Sequence, residues 1–107
     1  MTRVRASATT TVLADSLVVK ADKGTLYGLT GYNNKSSPQF IQIHDASTLP
    51  VDTAVPTIVF TVPATTSFSL DFNVGREFQI GIVISNSSTA ATKTIGSADC
   101  WFDVQYI

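Results

Sequence analysis

Period-two alternation is the feature that most limits what this chain can fold into. In SFSLDF, residues 67–72, Phe68, Leu70 and Phe72 alternate with Ser67, Ser69 and Asp71. The stretch DCWFDVQYI, residues 99–107, sets Cys100, Phe102, Val104 and Tyr106 against Trp101, Asp103, Gln105 and Ile107. Side chains along a strand point to opposite faces in turn, so this pattern describes sheets with one buried and one open face. The period recurs around residues 16–21, 24–33, 40–44, 57–62 and 77–85, while a helical period is nearly absent. Asn33, Asn34, Pro38, Pro50, Pro56 and Gly75 punctuate the runs with turn chemistry.

Short strands at this spacing predict an all-β, antiparallel β-sandwich, jelly-roll-like, of about seven to eight strands. In EFQIGIVIS, residues 77–85, one strand is expected, with Phe78, Ile80, Ile82 and Ile84 inward. PATTS, residues 63–67, is expected to make a hairpin between 57–62 and 67–72. The proline-bounded segment 47–56 is expected to cross between strands, because proline cannot donate to a ladder. The small polar stretch 86–99 is expected to cover an end of the sheet. Gly28 and Gly31 lie in a strand pattern, where glycine marks close packing or a bulge. The 107 residues make one domain. Residues 1–15 differ in texture and read as an N-terminal arm, with the sandwich over 16–107.

Charge narrows the function. Charged residues are 14% of the chain, against about 25% in an ordinary soluble domain. The net charge of −1 leaves no basic footprint, so no nucleic-acid partner is expected. No apolar run is long enough to span a bilayer, and residues 1–15 have no apolar h-region. No membrane partner is expected, and synthesis is expected in a cytoplasm. A weakly charged surface rich in serine and threonine has little self-repulsion, which favours cover by further copies or a partner.

Residue chemistry offers no catalyst. His44 is the sole histidine and Cys100 the sole cysteine. Zinc would then need carboxylate ligands, and a Cys–His pair would need Cys100 exposed, whereas it alternates with the apolar set. Asp45 reads as a turn cap. Asp71 and Asp103 are mid-strand and outward, and they could share a face with no cation beside them. Asn86 begins a glycan-acceptor tripeptide, taken as chance without a secretion signal. No catalytic residue, cofactor or metal site is expected, and the chain is not read as an enzyme. Tyr27, Trp101 and Ile107 remain, pointing away from the core. Aromatics on an outward face are interface material. With Arg3 and Arg5 in the arm, they make five interface candidates.

Three segments carry a resemblance: GTLYGLTGYNNKSSPQFIQIHDASTLP, then FNVGREFQIGIVISNSS, then CWFDVQYI. Together they resemble small virion structural proteins of tailed bacteriophages over roughly residues 24–107. The resemblance implies a structural role in the phage particle. It points first to a capsid decoration (cement) protein that binds the major capsid protein as a symmetric oligomer, expected to be a homotrimer. Arg3 and Arg5 would then anchor the arm on the lattice. The alternatives are a tail or head fibre domain, a host-glycan-binding module in which Trp101 and Tyr27 stack on sugar, and a head–tail connector component.

Overall fold

A computed structural model describes residues 5–107. It contains eight strands: β1 Ala6–Thr9, β2 Ser16–Lys20, β3 Gly24–Asn33, β4 Gln39–His44, β5 Ile58–Val62, β6 Thr66–Phe78, β7 Ile82–Ser87 and β8 Cys100–Tyr106. They form two four-stranded sheets, sheet A in the order β1-β8-β3-β6 and sheet B in the order β2-β7-β4-β5. Every neighbouring pair is antiparallel. First pairs with last, second with seventh, third with sixth and fourth with fifth. The chain is folded back on itself as one long double ribbon and then rolled, which is a jelly roll. The expected all-β sandwich is therefore present, with eight strands.

The inner faces make the core. Leu26, Leu29, Phe78, Phe102 and Val104 of sheet A face Ile41, Ile43, Val62, Ile82 and Ile84 of sheet B, all buried. Full burial of each such side chain contributes roughly 1.5–3 kcal/mol. The Phe68 ring lies edge-on to Phe60 at 5.8 Å and tilted against Phe102 at 6.2 Å, which ties the sheets together at one end. Gly31 sits beneath Phe68: a Cβ there would overlap the Phe68 ring and the Trp101 carbonyl oxygen. Close packing is thus its role, as expected. Asn33 is fully buried and donates from Nδ2 to the carbonyls of Ser37 and Pro63, at 3.2 and 3.1 Å. It pins two loops to the end of β3.

Three connections differ from the sequence reading. Residues 77–85 are not one strand: β6 ends at Phe78 in sheet A and β7 begins at Ile82 in sheet B. The turn between them leaves Ile80 56% exposed instead of buried. Asp45 caps that turn from another loop, accepting from the N–H groups of Ile80 (2.8 Å), Gly81 (3.2 Å) and Gln79 (3.2 Å). PATTS makes no hairpin, because β5 and β6 lie in different sheets and Phe60 and Phe68 face each other across the core. The proline-bounded segment instead joins β4 to its own neighbour β5. Alternation records which side chains face inward, and a hairpin and a sheet-to-sheet crossing can share one alternation.

Part of the stretch expected as an arm is a sheet edge. Ala6–Thr9 pair with Tyr106–Asp103, and Ala14 bridges Cys100. Ala8 faces inward against the core. Within β3 the alternation is interrupted once. Leu26 and Leu29 both face inward because the ladder shifts between Leu26 and Gly28, with Tyr27 as the extra residue.

Candidate interaction surface

The two outer faces have opposite fates. On sheet B the outward residues of the central strands include Gln42 and His44 of β4, paired side by side with Ser85 and Val83 of β7. All four are buried, at 0% to 3% exposure. Two long loops cover them from opposite ends. The loop 45–57 leaves the His44 end of β4, and the loop 88–99 leaves β7 at Ser87, which stands beside Phe40 at the other end. Gln42 Nε2 donates up into the second loop, to the carbonyls of Thr89 (2.9 Å), Ala90 (3.1 Å) and Thr92 (3.2 Å).

The loops are fastened where they meet. Lys93 N–H donates to the Ala54 carbonyl and Thr53 N–H to the Lys93 carbonyl, both at 2.7 Å. Lys93 Nζ, on a side chain only 3% exposed, reaches Asp52 Oδ1 at 2.7 Å. The same oxygen accepts from Ile95 N–H at 3.1 Å. The Lys93 hydrogen bond, with that of Ile95, holds the Asp52 carboxyl below its ordinary value. Thr53 adopts φ +79°, a left-handed conformation unfavourable for a β-branched residue, to close this junction. Beneath the cover His44 Nε2 meets Ser85 Oγ at 3.1 Å. Burial, and then the Lys93 ammonium, lowers the imidazole pKa.

Among the described residues, sheet A has no such cover. Its outer face shows three cross-strand rows. One row holds Trp101, Tyr32 and Ser67; the next Thr9, Asp103, Thr30 and Ser69; the third Ser7, Gln105, Gly28 and Asp71. The serines and threonines of these rows and Asp71 are exposed, while Tyr32, Asp103 and Gln105 are half-buried. Gln105 Nε2 donates to Asp103 Oδ2 at 3.1 Å, which orients that carboxylate. Asp71 and Asp103 do share this face, in adjacent rows.

The interface candidates separate into two groups. Arg5 and Tyr27 are together: the Arg5 guanidinium carbon lies 3.9 Å from the centroid of the Tyr27 ring, a cation–π contact. Here β6 makes an excursion, so that Phe72, Asn73, Val74 and Gly75 stand opposite the single residue Tyr27. Gly75 has a positive φ, +80°, and a Cβ on it would come within 2.9 Å of the Tyr27 ring. The excursion presents Val74 at 91% exposure. Ile107 is at the same end, half-buried, with its N–H and carbonyl both bonded to Thr25 at 2.9 Å. With Lys20, Lys23 and Glu77 it borders an open depression of about 250 Å³. Trp101 stands at the far end of the face, 41% exposed, its ring centroid 6.3 Å from that of Tyr32. Arg3 lies outside the described residues.

The sequence reading missed Val74, which sits next to a glycine turn signal, and Tyr32, whose partner depends on a register that local pattern does not contain. Elsewhere the chemistry is quiet. Among the described residues no group of three or more His, Cys, Asp or Glu is placed to hold a metal ion. Burial pushes the Cys100 thiol up to about 12, with the neighbouring Asp99 adding to the shift. Asn86 is fully buried, which removes it as a glycan acceptor.

No protein-family model matches this chain, and no curated protein does. Among solved structures the coat protein of Tobacco streak virus aligns over 94% of this chain and 84% of its own, at 12% identity and a TM-score of 0.47. At that score nothing about activity or partners follows from the likeness.

Proposed function

We propose that this protein is a structural component of a virion, a capsid decoration (cement) protein that binds a phage major capsid lattice as a homotrimer. The observation that carries this reading is the end of sheet A where Arg5 stacks on Tyr27 and the β6 excursion passes against that ring. The cation–π contact fixes the half-buried Tyr27 ring, and the excursion, anchored against that ring at Gly75, presents an almost fully exposed Val74. Large rigid side chains of this kind form the buried centres of protein interfaces. The resemblance of residues 24–107 to tailed-phage virion proteins supports the same reading, as does a low surface charge that weakens self-repulsion. Symmetric clustering would multiply individually weak contacts into tight attachment.

The test is co-sedimentation with expanded, undecorated capsids of the phage that carries the gene, together with light scattering of the free protein. Saturable binding by an oligomer is expected, at a copy number matching the lattice symmetry. Val74→Glu and Tyr27→Ala are expected to weaken binding by at least about tenfold, which is about 1.4 kcal/mol. A monomer that leaves capsids bare would overturn the reading.

A further inference from the structure

The other end of the open face has a different character. Protein interfaces concentrate apolar groups at the centre and polar groups at the rim. Sheet A reverses this, with hydroxyls, an amide and two carboxylates in its middle rows and aromatics only at opposite corners. We propose that the Trp101–Tyr32 corner and the rows beside it form a binding site for a neutral glycan, separate from the docking corner at Arg5 and Tyr27.

Each part of a sugar has a counterpart here. The Trp101 and Tyr32 rings are cross-strand partners inclined at 41°, and Trp101 is 41% exposed, so the pair offers a ledge for the apolar face of a pyranose ring. The neighbouring row stands two residues along the strands, about 7 Å away, which is near the breadth of one sugar unit. It carries Asp103, Thr30 and Ser69. Asp103 is already oriented by Gln105 Nε2 at 3.1 Å, and its remaining lone pairs accept from sugar hydroxyls. From the Trp101 row to the Gln105 row is about 13 Å, room for two to three units. Because these groups sit on sheet strands, little ordering is needed when a ligand arrives.

Charge selects the class. Asp71 and Asp103 lie in these rows with no lysine or arginine among the row residues. Sialylated, uronic or sulfated glycans would meet like charge, so the ligand is neutral.

The chain's single tryptophan is Trp101, so the site reports its own occupancy. Tryptophan fluorescence would be titrated with maltohexaose, cellohexaose, chitohexaose and a mannan, with sialyllactose as the acidic comparison. At least one neutral probe is expected to give a saturable change with Kd no weaker than about 1 mM, and sialyllactose none. Asp103→Asn is expected to weaken that probe at least about tenfold. Trp101→Ala, read by calorimetry, is expected to abolish binding while circular dichroism stays unchanged. Silence with all four neutral probes overturns the proposal. So does equal affinity in both variants, or a Trp101 response to capsids alone.

Discussion

The outer faces of sheets A and B begin from the same sequence pattern and end in opposite environments. On sheet B, Gln42, His44 and Ser85 alternate with isoleucines just as Ser67 and Ser69 alternate with Phe68 and Leu70 on sheet A. Yet the first three are buried and the two serines are exposed. The difference is made by loops. Segments 45–57 and 88–99 bend over sheet B and lock at Lys93, while nothing among the described residues bends over the middle of sheet A. A polar residue on a strand can therefore mark a solvated face, or one whose hydrogen bonds are met by the chain's own backbone.

The largest effect should come from undermining the cover. Gln42→Ala would take the donor from the Ala90 carbonyl and one of two donors from the Thr89 and Thr92 carbonyls, which keep Ser87 Oγ and Thr89 Oγ1, and would open a void beneath the loop. Urea denaturation is expected to show a loss of about 2–4 kcal/mol. A loss under about 1 kcal/mol would mean that the loops rest on sheet B without depending on it. Asp45 is next, since it joins the root of one covering loop to the β6–β7 turn. Burial raises its carboxyl pKa, but the N–H donations of Ile80, Gly81 and Gln79 outweigh that and leave it below the ordinary value. Asp45→Ala is expected to cost about 1 kcal/mol, comparable to loss of a helix cap.

A third test uses pH. His44 has a lowered pKa in the fold, so below its unfolded value of 6.5 the unfolded chain takes up the proton more readily. Its contribution is complete above that value and is lost as pH falls toward the folded one. Urea midpoints of the native protein should decline from pH 7.5 to pH 5, and His44→Gln should flatten the decline. An equal slope in both would place the titration elsewhere. Smallest of all should be Thr30→Ala on the open face, within about 0.5 kcal/mol by the same unfolding measurement.

Much of this fold was legible in the sequence, and the failures have a common origin. Phe68, Phe78, Ile82, Ile84, Phe102 and Val104 all face inward as their alternation predicts. Ile80 does not, although its parity is right, because the chain changes sheets beneath it and parity runs on through the turn. The short Ser/Thr/Ala stretch that becomes β1 shows too little contrast to read as a strand. Its contact between Arg5 and Tyr27 was hidden for that reason. The depth of Gln42 and His44 required knowing where distant loops return. Trp101 could be singled out from nine residues, but Tyr32 beside it could not.

The order of strands has a consequence for how the molecule is made. Thr9 and Phe102, 93 positions apart, touch through a hydrogen bond, and β8 is wedged between β1 and β3. Until β8 has left the ribosome, β1 has no neighbour and β3 lacks one of its two. Nascent chains must wait with Leu26, Leu29 and Phe68 uncovered, and closure of so wide a loop is slow. Crowded translation would therefore favour clumping over folding at this stage, and chaperone demand should end abruptly once the ribbon closes.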